Sequence, residues 1–227
     1  MSELPIGVES GPPPSSLRVA GQYARATQRR FARRAVAGIL VCITVLLVAI
    51  GVLGLRWITV GIEAVVIAGM LTLDSLATPI IERWGRGASG EELVGQVLDG
   101  LRDSGWFALH DVNSGHGNID HVLVGPAGIF AVETKSHRGR IHVPKLDQGM
   151  LRQAYAEAKH IERITGLRTE PLLVFSNAYL IPAVSCRTGV TILPARMLAG
   201  HLKRRSGNVP AARVEEVYTR LANALPG

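Results

Sequence analysis

Residues 128–135 read Gly-Ile-Phe-Ala-Val-Glu-Thr-Lys, and residues 118–121 read Asn-Ile-Asp-His. Side chains of an extended strand alternate between faces, so Phe130, Val132 and Thr134 share one side while Ala131, Glu133 and Lys135 share the other. Glu133 and Lys135 therefore emerge together at the end of an otherwise apolar run. A short turn containing Pro126 and Gly128 links this run to the preceding one, over 118–124, and brings Asp120 beside them. The expectation is two carboxylates and an ammonium converging on one sheet.

Working outward, a third β-type run over 107–112 completes a meander punctuated by Gly115, Gly117, Pro126 and Gly128. Ser89 is placed to cap a helix ending near residue 102. Glu91 and Glu92 lie in its first turn, where carboxylates suit the positive end of the dipole, and Leu93, Val97, Leu98 and Leu101 form its apolar stripe. Downstream, a short strand over 140–143 precedes a helix over 148–164 that closes at Gly166. Strands over 171–175 and 190–193 follow, then helices over 195–205 and 211–224. This order predicts an α/β core whose mixed sheet is covered by helices on both faces.

Upstream, residues 35–55 are 21 residues without a charge, enough at about 1.5 Å per residue to cross a hydrocarbon core about 30 Å thick. Arg25, Arg29, Arg30, Arg33 and Arg34 crowd against this block, and such a cluster stays on the cytoplasmic side during insertion. A second apolar stretch, about 58–80, contains Glu63 and Asp74 near its ends, within reach of headgroup water. A tight outer turn at Arg56 and Trp57 would make the two a transmembrane hairpin with both termini inside. The competing arrangement is one span with a re-entrant or surface helix, which puts the following domain outside. Residues 1–34 are a basic tail read as disordered, with Gly-Pro-Pro-Pro-Ser-Ser at 11–16. Domain boundaries thus fall at 1–34, 35–80 and 81–227, at a bacterial-type inner membrane with the last domain cytoplasmic.

The formal net charge is +7 over 227 residues. Residues 81–227 hold 18 basic and 14 acidic side chains, a balance that permits a polyanionic partner without requiring one. Cys42 and Cys186 form neither a disulfide framework nor a metal-ligand spacing. The chemistry rests on the oxygen donors. Two carboxylates can hold a hard divalent ion, normally Mg²⁺ (or Mn²⁺), and an adjacent lysine compensates negative charge developing on a phosphoryl group. Glu91, on the helix before the sheet, is a fourth candidate that could steer Lys135. His121 points to the opposite face from Asp120, which assigns it to packing or a local hydrogen bond.

Taken together, Gly87-Ala-Ser-Gly90-Glu91, Gly117-Asn-Ile-Asp120-His121 and Gly128-Ile-Phe130 leading into Glu133-Thr-Lys135, with Gly139 beyond, resemble the NERD (nuclease-related) domain of the PD-(D/E)xK nuclease superfamily. The resemblance covers about residues 85–200. It implies a restriction-endonuclease-like core, Asp120, Glu133 and the Thr134 carbonyl as metal ligands, Lys135 as the catalytic lysine and Glu91 as the helix-borne acid. Leu151-Arg152-Gln153-Ala154 resembles the family's later helix, with Gln153 facing the site. One departure is Glu157, where a wider branch of the superfamily carries Tyr. The implied activity is membrane-anchored hydrolysis of nucleic-acid phosphodiesters, DNA in preference to RNA. The alternatives are a catalytically silent nucleic-acid- or protein-binding module tethered to the bilayer, and a membrane scaffold in which the hairpin is the working part.

Overall fold

The computed structural model describes residues 19–53, 57–115, 117–205, 207 and 209–225. The first 18 residues and the turn at Arg56 lie outside the described residues, as do the side chains of Glu63 and Asp74. The chain divides into two compact units, one of residues Gly21–Ser89 and one built on Gly90–Gly227.

The first unit is helical. Helix α1 spans Gln22–Leu53 and α2 spans Trp57–Asp99. The helix expected over 35–55 thus starts earlier, because the Ala-, Gln- and Arg-rich residues of the basic segment are themselves good helix formers. Residues from Gln22 onward, read as tail, are helical. The expected helix start at Ser89 is also corrected: α2 runs through that position, and Ser89 Oγ donates to the Gly85 carbonyl one turn back (3.0 Å) instead of capping an N-terminus. Pro79 lies inside α2. Among the described residues, α1 and α2 are both long and apolar enough to cross a membrane, with mean hydropathy of 2.1 and 1.8 over their most apolar stretches.

The second unit is a six-stranded mixed sheet in the order β1-β2-β3-β4-β6-β5. Strands β1 (Phe107–Asn113), β2 (Asn118–Gly125) and β3 (Gly128–His142) form the expected antiparallel meander. Strand β4 (Thr169–Ile181) lies parallel to β3, and β6 (Val190–Pro194) parallel to β4. The run expected as a separate strand over 140–143 is the far end of β3, and β4 is correspondingly longer than 171–175, since each supplies the other's hydrogen bonds beyond Phe175. A short strand, β5 (Ser185–Arg187), pairs with β6 and was not anticipated. Helices α3 (Gln148–Thr165), α4 (Ala195–Lys203) and α5 (Ala211–Ala224) complete the unit.

Alternation along the strands sorts the core. Phe130, Val132, Leu172 and Val174 pack with Leu98 of α2 and with Leu198 and Leu202 of α4. On the other side, Leu151 of α3 packs with Leu173 and Phe175, while Ile161 of α3 and Tyr218 of α5 pack with Val122 and Val124. Burying each such side chain contributes roughly 1.5–3 kcal/mol, so the α/β/α layering follows from the strands' period. Gly128 closes the β2–β3 turn at φ +117°, a conformation open to glycine and costly for other residues.

Candidate functional site

The ladder between β2 and β3 stops at the pair His121 and Val132. One residue further, register sets Asp120 across from Glu133, and on the other side Asp111 of β1 across from Asp120. Three carboxyl groups therefore follow one another across three neighbouring strands, an arrangement that like-charge repulsion disfavours unless protons or a cation offset it. Asp120 also replaces the lost ladder bond: its Oδ2 accepts from the Thr134 backbone N–H at 2.7 Å. That contact ties the β2 acid to the strand segment carrying Glu133 and Lys135.

Lys135 Nζ donates to Glu133 Oε1 and to Gln153 Oε1 of α3, the latter at 3.1 Å. Gln153 Nε2 in turn donates to Glu157 Oε1 at 3.0 Å. Gln153 and Glu157 are one helical turn apart on the face of α3 that meets this part of the sheet. Glu91 is brought in by α2, and the preceding Gly90 explains how: a Cβ there would sit 2.7 Å from Ser176 Oγ and 3.0 Å from Ser136 Cβ, so only glycine allows this close approach to β3 and β4.

The electrostatics join these residues into one group. Burial, then the charges of Asp111 and Glu133, push the Glu91 carboxyl up to about 7, against the opposing pull of Lys135. Burial, then Glu133 and Glu91, raises Asp120 well above the usual carboxylate range despite the Thr134 hydrogen bond. Glu157 is pushed up to about 9 by burial and then by Glu133. Burial works against the Lys135 ammonium, but Glu133 and the neighbouring acids outweigh it and keep its pKa above the ordinary value.

Several acids thus share one ammonium. Glu133, only 3% exposed, has Oε2 buried without a hydrogen-bond partner among the described residues, and Glu157 Oε2 is in the same position. Hard oxygen donors with unused lone pairs and repelling charges are the donor chemistry a divalent cation takes. Among the described residues, no three His, Cys, Asp or Glu side chains converge closely enough to hold a metal by themselves. The expected ligand set, two carboxylates and the Thr134 carbonyl, has two side chains.

All the residues singled out in the sequence, Glu91, Asp120, Glu133, Thr134, Lys135 and Gln153, meet here through hydrogen bonds or charge interactions. Two that were not chosen join them. Asp111 has φ +49° within a strand, and its Oδ1 accepts from Asn118 Nδ2 at 2.8 Å. Its one legible signal was an acid inside the apolar run 107–112. Glu157 stood out only as a departure from a familiar pattern. Beside Gln153 and Glu157 a cleft of about 320 Å³ opens between α3 and the β1–β2 loop, lined also by Ser114, Asn118, His160 and Arg163. An apolar cavity of about 280 Å³ lies at the other end of β3, by Gly128 and Ile129, away from these groups.

His121 is excluded from the cluster, as its strand parity predicted. Its Nδ1 meets His110 Nδ1 at 2.8 Å, and His110 Nε2 meets Asp99 Oδ1 at 3.1 Å. If Asp99 accepts from His110 Nε2–H, then His110 Nδ1 accepts from His121 Nδ1–H, which leaves the His121 Nε2 lone pair buried without a partner among the described residues. Burial, then His110, holds the His121 pKa well below its usual value.

A mixed sheet between helices, with an acid–lysine cluster where its antiparallel and parallel halves meet, defines a nuclease-like α/β fold. Residues 86–176 match the family model of NERD, the nuclease-related domain. A relative from Bacillus anthracis, described as an uncharacterized protein, is 29% identical over 141 residues. That match takes in 55% of this chain and 66% of the relative's length. No solved structure gives a significant match.

Proposed function

We propose that the domain is a divalent-metal-dependent phosphodiester hydrolase, with DNA as the favoured substrate, tethered to a membrane by α1 and α2. The observation that carries the hydrolase reading is the meeting of Asp120, Glu133 and Lys135, with a Glu133 oxygen buried and unpartnered among the described residues. The match of residues 86–176 to the nuclease-related family model supports it. Asp120, Glu133 and the Thr134 carbonyl would hold Mg²⁺ (or Mn²⁺). When bound, such an ion supplies electrophilic activation of a phosphoryl oxygen.

The chain's own groups supply the rest. Lys135 orients the attacking water and offsets negative charge on the phosphoryl oxygens in the transition state. Gln153 accepts from Lys135 and fixes where the ammonium points, while Glu157 holds the Gln153 amide. Glu91, poised near neutrality, can exchange a proton with water at working pH. Asp120, bonded to the Thr134 N–H, fixes the backbone of the residue whose carbonyl would be the third ligand.

The tether is supported by surfaces unsuited to water. Among the described residues, neither apolar stretch has a buried one, and Leu40, Val41, Leu47, Val65 and Leu71 are exposed, which a hydrocarbon environment would accommodate. The hydroxyls of Thr44, Thr72 and Ser75 bond to carbonyls of their own helices, as a span requires. The arginines preceding the first span favour an inside N-terminus, and two spans then return the domain to the cytoplasmic side of a bacterial-type inner membrane.

The full chain, purified in detergent, should degrade DNA with Mg²⁺ or Mn²⁺ and stop in EDTA. Asp120→Ala and Glu133→Ala should abolish cleavage, and Lys135→Ala should lower it by about a hundredfold or more. Equal activity in wild type and Asp120→Ala would overturn the assignment. Binding of DNA that EDTA leaves unchanged, with no product at any metal concentration, would favour the silent binding module. Resistance to alkaline extraction from membranes tests the tether, and protease access in intact cells tests the side.

A further inference from the structure

Charge is unevenly distributed within residues 81–227. Residues 134–146 and 171–214 contain ten Lys and Arg and no Asp or Glu, against eight basic and fourteen acidic side chains in the remainder. These carboxylate-free segments supply the far half of β3, β4 from Pro171 onward, and β5, β6 and α4. Some of their cations are engaged elsewhere: Arg205 pairs with Glu170, Arg213 with Glu216, and Arg187 donates to the Val143 carbonyl. Among the described residues, no carboxylate pairs with Arg138, Arg140 or Arg196.

The extension of β3 and β4 beyond the catalytic cluster presents these groups on one face. Arg138 pairs with Asn177, Arg140 with Tyr179 and His142 with Ile181; all six are exposed, while the intervening Ala178 and Leu180 are buried. Tyr179 is 65% exposed, and the Arg196 guanidinium lies over its ring at 4.9 Å. Ile141, Ala178 and Leu180 pack with Leu173 and Phe175 on the α3 side of the sheet, while α4, which carries Arg196, covers the other side. A register shift separates Lys135 from Arg138 along β3. Arg138, Arg140 and Tyr179 therefore face the α4 side, opposite the face on which Lys135 meets Gln153, and the strip they form begins three residues beyond Lys135.

We propose that this face of the β3–β4 extension is a track for single-stranded nucleic acid on the side of the sheet opposite Lys135, next to the hydrolytic site, with Arg138 and Arg140 on phosphates and the Tyr179–Arg196 stack as a platform for a base. It deepens the hydrolase reading as a holding surface for the same substrate class, and rests on it for what becomes of the bound strand. The absence of carboxylates makes a polyanion the fitting occupant. The open ring face selects a single strand, because a base inside a duplex offers no free face to stack on.

Binding of fluorescent oligothymidylate, and of a blunt duplex of equal length, to the full chain in zwitterionic detergent with EDTA tests this without cleavage. Tyr179→Ala should weaken oligothymidylate binding about five- to a hundredfold, and Tyr179→Phe should bind within about twofold of wild type. Replacing Arg138 and Arg140 together by Ala should cost tenfold or more and reduce the salt slope by about 1.4, roughly 0.7 for each lost phosphate contact. Arg220→Ala, on α5, should bind as wild type. Unchanged binding in the strip variants overturns the track, as does an equal loss for duplex and single strand. So does a loss confined to phosphatidylglycerol vesicles. Asp120→Ala separates the two ideas: lost cleavage with strip variants that bind normally removes the track and leaves the hydrolase. Lost binding in the strip variants of a protein that never cleaves supports the track and removes the hydrolase.

Discussion

Replacing Glu157 by Gln should stabilise the metal-free protein at pH 7.5 and leave it unchanged at pH 4.5. The Glu157 carboxyl is pushed up from 4.5 to about 9 by burial and by Glu133. An acid whose folded pKa lies above its unfolded value stabilises the fold in its protonated form. That contribution is complete below about 4.5 and is lost as the pH climbs toward 9. Each pH unit in this window costs about 1.4 kcal/mol, so about 4 kcal/mol is lost between pH 4.5 and 7.5. The cost is shared with Asp120 and Glu91, whose carboxyls are raised by the same neighbours. Gln keeps the shape of the protonated side chain and carries no charge. Glu157→Gln should therefore gain about 2–4 kcal/mol at pH 7.5 in EDTA, on the order of 10 °C in Tm, with almost no difference at pH 4.5. Thermal unfolding of the full chain in detergent at both pH values reads this directly. Comparing variant with wild type at each pH cancels the contributions of groups the substitution leaves unchanged. Mg²⁺ or Mn²⁺ should raise the wild-type Tm at pH 7.5 by offsetting the same repulsion. A variant no more stable than wild type at pH 7.5 in EDTA would refute the reasoning, because the acids would then not be repelling one another in the folded state.

Asn118→Ala removes the hydrogen bond that holds Asp111 at its positive φ; a loss of about 1–3 kcal/mol in urea unfolding is expected. A Cβ added at Gly125 would come within 2.1 Å of the Trp106 ring, so Gly125→Ala should cost several kcal/mol and expose Trp106, read as a red shift in its fluorescence. His121 has a depressed folded pKa, so the stability it contributes is present above about 6.5 and is lost as the pH falls below that value. His121→Leu should flatten the stability profile between pH 6.5 and 5, while costing about 1–3 kcal/mol because His110 Nδ1 loses its partner. An unchanged slope would assign that acid sensitivity to another group.

What the sequence determined by itself is local in origin. Alternation over 128–135 put Glu133 and Lys135 on one face and Phe130 and Val132 on the other, because strand geometry has a period of two wherever the strand lies. The helix over 148–164 and the strand over 190–193 were legible from apolar period and from Gly166, and a short turn brought Asp120 beside Glu133. The tertiary structure decided what depends on partners distant in the chain. It extended β3 and β4 past their apolar runs, since each completes the other's backbone hydrogen bonds. It carried α2 through Ser89, where a capping residue found its own helix's carbonyl instead of a free N-terminus. It also drew Asp111 and Glu157 into the acid cluster, because a carboxyl's pKa and its repulsions depend on which other charges fold around it, and those come from strands and helices tens of residues away.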